Sequence, residues 1–246
     1  MKISAKIFML CAMLFFAPAF IHTTKATLIT LNTSSMSDED RQVSGFTGIS
    51  SSGSFSIKVT MGSKESLRLE GDPETIKEIE TIVENGILKI RSKNRRGIWG
   101  WHSNLKRVHI YITAKTLNKL SVNGSGDIMV EGIVKTKQLS NSISGSGNIS
   151  VSADIEDYNA AISGSGKVSI QGTANKAAVK ISGSGGFDGK NLKTADASIG
   201  VSGSGRASIY ASKKLEAVVS GSGNIRYSGQ AQISITKSGS GSISKM

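Results

Sequence analysis

Trp99 and Trp101, the only tryptophans of this 246-residue chain, stand one glycine apart in a run that also holds Arg95, Arg96, Lys106 and Arg107. Rigid aromatic area beside guanidinium groups is the combination enriched at binding hot spots, and it also suits stacking on sugar rings or settling at a membrane surface. On an extended strand the two indoles share a face. Tryptophans in a hairpin can equally cover a neighbouring core, and the residues alone leave both uses open. These six are the candidate partner-binding residues.

Other reactive chemistry is sparse. The histidines are His22, His102 and His109, and none recurs with any repeat. Asp154, Glu156 and Asp157 form the one acidic cluster of the second half, inside a single variable stretch that reads as a solvated loop. Glycan lyases and hydrolases need acid and base groups converging from separate segments, and a calcium-binding repeat would place Asp after successive corners, where only Asp127 qualifies. No catalytic residue, metal site or cofactor is expected. The single cysteine, Cys11, lies in the N-terminal apolar run, so neither a disulfide nor a thiolate site is available elsewhere.

That run, Ile7–Phe20 behind Lys2 and Lys6, with small-residue sites ending at Ala19 and Ala26, reads as a signal peptide over 1–26. Export to the periplasm, the cell surface or the medium is the expectation. Removing it takes three lysines and leaves 27 basic against 18 acidic residues, a net charge of +9. The charges are scattered, so nucleic acid is excluded as a partner. A glycan or protein at a cell surface fits better, and a peripheral membrane contact stays open.

The elements that must carry these groups are legible as a repeat. Gly-Ser-Gly recurs at Gly124 and Gly126, Gly145 and Gly147, Gly164 and Gly166, Gly183 and Gly185, Gly203 and Gly205, Gly221 and Gly223, and Gly239 and Gly241, at a period of 18 to 21 residues. An aliphatic residue stands two before most corners and another two after (Ile143 and Ile149, Ile162 and Val168). Each unit reads as strand, glycine corner, strand, and a unit that cannot bury its apolar face alone must stack on its neighbours. Residues 121–246 are therefore expected to form a right-handed parallel β-helix, a solenoid of Gly-Ser-Gly repeats, with Val130, Val151, Ile170, Val179, Ile181, Ile199, Val201, Ile209, Val219 and Ile235 inside.

Before it, residues 27–42 show no periodicity and read as a loose lead-in. Residues 43–120 read as a smaller β-rich head, with alternating strands around Phe55–Met61 and Leu67–Leu69. Asp72-Pro73-Glu74 is a helix-start signal, and Ile76, Ile79, Ile82 and Val83 then predict one short helix over 73–84, ended by Asn85-Gly86. The fold class is all-β with a single helix. Lys237 stands where the last corner lacks its aliphatic residue, and it predicts a monomer or a weak homo-oligomer.

The strands over Phe46–Val59, Gly71-Asp72-Pro73-Glu74 leading into Ile76 and Ile79, Asn85-Gly86-Ile87-Leu88-Lys89-Ile90, the strand Val108–Thr113 and the serial corners together resemble the head GIN domain family of auto-transporter adhesins. The resemblance spans about residues 44–243. It implies a β-helical, exported bacterial protein acting in adhesion, with no catalytic residues to carry over. The expected function is that of a non-enzymatic envelope or surface binding module. The alternatives are a glycan-active β-helix enzyme and a purely structural envelope protein.

Overall fold

A computed structural model describes residues 37–93 and 108–246; the expected signal peptide lies outside them, as does the lead-in up to residue 36. In chain order the described elements are β1 (Ser37–Arg41), β2 (Gly48–Gly53), β3 (Ser56–Met61), β4 (Ser66–Gly71), α1 (Pro73–Lys77), β5 (Ile79–Glu84), β6 (Ile87–Ser92), β7 (His109–Ala114) and β8 (Lys119–Gly124). They continue as β9 (Asp127–Gly145), β10 (Asn148–Gly164), β11 (Lys167–Gly183), β12 (Gly186–Gly203), β13 (Arg206–Gly221), β14 (Asn224–Ser228), β15 (Gln232–Ser238) and β16 (Ser242–Lys245). The strands stack as a β-solenoid of about seven turns.

Register is kept coil over coil because each corner can sit on only one partner. Gly145 lies over Gly124 and Gly164 over Gly145, while Ser146 N donates to Gly124 O at 2.9 Å and Asn148 N to Gly126 O at 3.1 Å. The two glycines of a corner serve different needs. Gly145 has φ +128°, a region that a Cβ disfavours. Gly147 needs room instead: a Cβ there would lie 2.1 Å from Gly126 O and 2.6 Å from Val122 Cγ1. The corner serines face water.

One apolar core runs the whole length, from Phe46 to Ile225. Nine of the ten expected inward residues are buried. The exception is Ile235, 51% exposed: it continues the column of the buried Ala217 on β13, but no described coil covers it. Within the core, the column through Tyr158 narrows to Ala177 and Ala197 in the next two coils. The Phe187 ring fills that space, its centroid 6.1 Å from that of Tyr158. Asn141 Nδ2 donates to the Tyr158 hydroxyl at 3.0 Å, and burial pushes the phenol's pKa up.

The head is built on the same columns. β2 and β3 run parallel to β8 and β9, so Gly53-Ser54-Phe55 is itself a corner beneath Gly124-Ser125-Gly126, with Gly126 N donating to Gly53 O at 3.0 Å. A search for Gly-Ser-Gly misses it because Phe55 replaces the second glycine. Below lie β6, parallel to β2, and β7, parallel to β3. Antiparallel strands finish this end: β5 on β6, and β4 then β1 on β7.

Two expectations are corrected here. The helix is confined to Pro73–Lys77, and Ile79–Glu84, expected as its continuation, is strand β5. Asn85 (φ 51°) and Gly86 (φ 72°) turn β5 back onto β6 as a tight hairpin, the type I′ pattern that Asn-Gly favours, and six paired residues outweigh two more helical turns. The lead-in expected to be loose is, over Ser37–Arg41, the edge strand β1. Its Arg41 guanidinium donates to Ile76 O (3.0 Å), Ile79 O (2.7 Å) and Thr81 Oγ1 (3.1 Å), satisfying carbonyls at the end of α1. Joining β4 on one wall to β5 on the other, α1 closes this end of the core with Ile76 and Ile79 buried.

Candidate functional site

The six residues singled out from the sequence (Arg95, Arg96, Trp99, Trp101, Lys106 and Arg107) lie outside the described residues. Their attachment points are described. β6 leads into the segment in the columns where β2 and β8 lead into corners, and β7 leaves it in the columns of β3 and β9. The described strands β6 and β7 therefore stand in the columns that flank the Gly-Ser-Gly corners, and the chain between them carries the six residues. At the Gly-Ser-Gly corners three residues join the strands of these columns, whereas fifteen residues lie between Ser92 and Val108. Both stems are held on two sides, β6 between β2 and β5 and β7 between β3 and β4. Arg91 Nε pairs with Glu80 at 2.5 Å beside the first stem.

The edge opposite the corners shows what the chain can offer elsewhere. A groove of about 650 Å³ crosses five coils there, lined among others by Lys137, Asp154, Glu156, Asn175, Lys193 and Tyr210. Here the acidic cluster of the sequence is resolved into separate columns. Asp154 stands between Lys135 and Thr173, whose Oγ1 donates to it at 2.5 Å. Asp157 heads the column Gln138, Asp157, Lys176, Asp196, Lys214 and Gln232, in which charge alternates from one coil to the next. Opposite charges directly across neighbouring strands stabilise a pairing, and like charges there destabilise it. The arrangement matches each carboxylate of this column with an ammonium group rather than setting two carboxylates against one substrate. Counting columns at the repeat period would have revealed this ladder from the sequence; the search for clustered acids could not.

A third surface, the wall leading into the corners, carries mostly small side chains. The column Ser144, Ser163, Ser182, Ser202, Ser220 and Ser238 runs along it, beside Ser142, Ala161, Lys180, Gly200 and Val218. After the corners, the exposed side chains bond from coil to coil: Asn148 Nδ2 donates to Asp127 Oδ1 at 2.7 Å and Ser242 Oγ to Asn224 Oδ1 at 2.6 Å. Among the described residues no group of three His, Cys, Asp or Glu side chains is placed to hold a metal ion.

Comparison with known proteins follows the fold. A family model described as "Putative auto-transporter adhesin, head GIN domain" matches residues 45–231. Among solved structures, a "putative adhesin" from Bacteroides fragilis is 26% identical, with a TM-score of 0.79, covering 87% of this chain and 98% of its own. A "putative lipid binding protein" from Parabacteroides distasonis is 25% identical with a TM-score of 0.69, again over 87% of this chain and 98% of its own. A "putative adhesin" from the same species has a TM-score of 0.70 over the same shares, but at 20% identity it speaks for the fold alone. No curated protein matches the chain.

Proposed function

Because the chain belongs to the auto-transporter adhesin family with a head GIN domain, we propose that it works as an exported, non-enzymatic binding module of the bacterial envelope, contacting a glycan or protein at a cell surface. The observation that carries this reading is that residues 93–107 join β6 and β7, two strands that are each paired on both sides. Extra chain on a rigid scaffold is where binding residues concentrate. In this reading Trp99 and Trp101 anchor the partner, and Arg95, Arg96, Lys106 and Arg107 orient an anionic one.

A glycan-active enzyme finds less support. The carboxylates of the groove are spread over columns shared with lysines, amides and hydroxyls, an arrangement suited to register and to passive polar contacts. The adhesin and lipid-binding descriptions of the structural neighbours both name binding rather than turnover.

The test is a glycan array and cell-surface binding assay comparing the chain with a Trp99→Ala/Trp101→Ala variant. Binding that drops about tenfold or more with an unchanged melting temperature supports the assignment. A variant that melts much earlier identifies the tryptophans as core residues and removes the site.

A further inference from the structure

The two ends of the solenoid differ in charge and in how they are closed. At the N-terminal end the outermost layer, β1 together with residues 72–84, carries eight carboxylates against Arg41 and Lys77. None of its large apolar side chains is exposed. At the other end, residues 217–246 contain Arg226, Lys237 and Lys245 and no Asp or Glu. β15 and β16 each pair on one side only among the described residues, with β13 and β14. Ile233 (37% exposed), Ile235 (51%) and Met246 (52%) stand at this end. Ile233 and Ile235 hold core columns that nothing covers among the described residues. Lys237 continues the column of the buried Val219, and Lys245 that of the half-buried Tyr227.

We propose that this end is a membrane-docking tip that seats on a bilayer surface rich in anionic lipid. Ile233, Ile235 and Met246 enter the interfacial region, while Lys237, Lys245 and Arg226 contact lipid phosphates. The apolar mouth of the core calls for an apolar cover and the cations around it for anionic charge, and an anionic bilayer surface supplies both at once. Lysines can keep their ammonium groups at the phosphates while their stems follow the apolar residues inward. The unpaired edges of β15 and β16 remain at headgroup depth, where water and phosphate satisfy them, as they could not be in hydrocarbon.

A second copy of the chain fits less well. Its matching end would bring lysines against lysines, and its acidic end has no exposed apolar side chain to cover Ile233 and Ile235. Among the described residues no helix is long and apolar enough to cross a membrane, so the contact proposed is with the surface. The tip lies at the opposite end of the strand order from β6 and β7, the strands that the 93–107 segment joins. This inference does not depend on what that segment binds.

The experiment is flotation of the full chain with vesicles of phosphatidylcholine alone and with vesicles containing phosphatidylglycerol, at low and high salt. Binding to the phosphatidylglycerol vesicles that weakens with salt is expected. Lys237→Glu/Lys245→Glu should lower the partition coefficient about twenty-five-fold or more, at roughly a factor of five for each cation lost. Ile233→Ser/Ile235→Ser should lower it about tenfold. Each tip variant changes exposed positions and should keep the parent's melting temperature; if the serine pair does not, the charge pair and the single Lys245→Glu variant carry the test. The proposal is overturned by absence of binding, by equal binding to phosphatidylcholine alone, or by binding that the tip variants leave intact. Loss only in the Trp99→Ala/Trp101→Ala variant would overturn it and leave the 93–107 reading standing. Salt-sensitive oligomers that form without vesicles and vanish in the tip variants would overturn it in favour of a second copy.

Discussion

Gly166→Ala isolates the role of space at a corner from the role of backbone conformation, because Gly166 does not have the positive φ of Gly164. An added Cβ would lie 2.4 Å from Gly147 O and 2.6 Å from Ile143 Cγ2. Reaching even 3.0 Å from that carbonyl requires the coils to part by about 0.6 Å, and the carbonyl is the one that accepts from Lys167 N at 3.1 Å. Overpacking of this kind costs about 1–3 kcal/mol, and a weakened intercoil hydrogen bond adds about 1 kcal/mol. A loss of about 3 kcal/mol is therefore expected. At about 2–4 °C per kcal/mol for a domain of this size, the melting temperature should fall by roughly 6–12 °C. Gly200→Ala is the matched control: its Cβ meets nothing within 4 Å and its φ is not positive. That change should raise stability by about 0.5–1 kcal/mol through the unfolded chain. The assay is circular dichroism during thermal and urea unfolding of both variants. If the two differ by less than about 0.5 kcal/mol, the spatial account of the second corner glycine is wrong.

The buried Tyr158 sets an alkaline limit. In the folded chain burial holds the phenol protonated above its ordinary value of 10.0, while the unfolded chain ionises there, so stability is intact below that pH and falls as pH rises above it. Melting temperatures between about pH 9 and 11 should decline less steeply in Tyr158→Phe, and absorbance at 295 nm should show one tyrosine ionising only with unfolding. Asn148→Asp sets two carboxylates side by side in register with Asp127 and should cost about 0.5–1 kcal/mol, shrinking as salt is added. Ile181→Ala, in the closed core, should cost about 2–5 kcal/mol, whereas Ile235→Ala, at the open end, should cost less than about 1 kcal/mol; similar values in urea titrations would mean that the end is covered.

Legibility followed the range of the interactions. Repetition exposed the corners because every coil meets the same backbone constraint, and the aliphatic residues beside them could then be assigned inward. The corner at Gly53-Ser54-Phe55 escaped, since Phe55 breaks the motif while the register with β8 and β9 keeps the geometry. Ile79, Ile82 and Val83 suit a helix face, but Ile79, Thr81 and Val83 also alternate as a strand does. Only the presence of β6 alongside decides between them. β1 has no apolar residue to reveal it, and it exists because β4 offers an edge and Arg41 reaches the carbonyls of Ile76 and Ile79.

By itself the sequence determined what depends on residue type and spacing: the coil length, the glycine corners, the inward aliphatic rows, the short supply of acid and base chemistry, and the tryptophan segment as the candidate contact. Tertiary structure decided what depends on neighbours distant along the chain. It set residues 79–84 as a strand, carried the head into the same columns as the repeats, and dispersed the acidic cluster into a ladder of alternating charge. Among the described residues it also left Ile233 and Ile235 exposed, close along β15 to Lys237. A residue's column depends on which coil stacks beside it, and that pairing is fixed by backbone hydrogen bonds between segments about twenty residues apart, which no local pattern encodes.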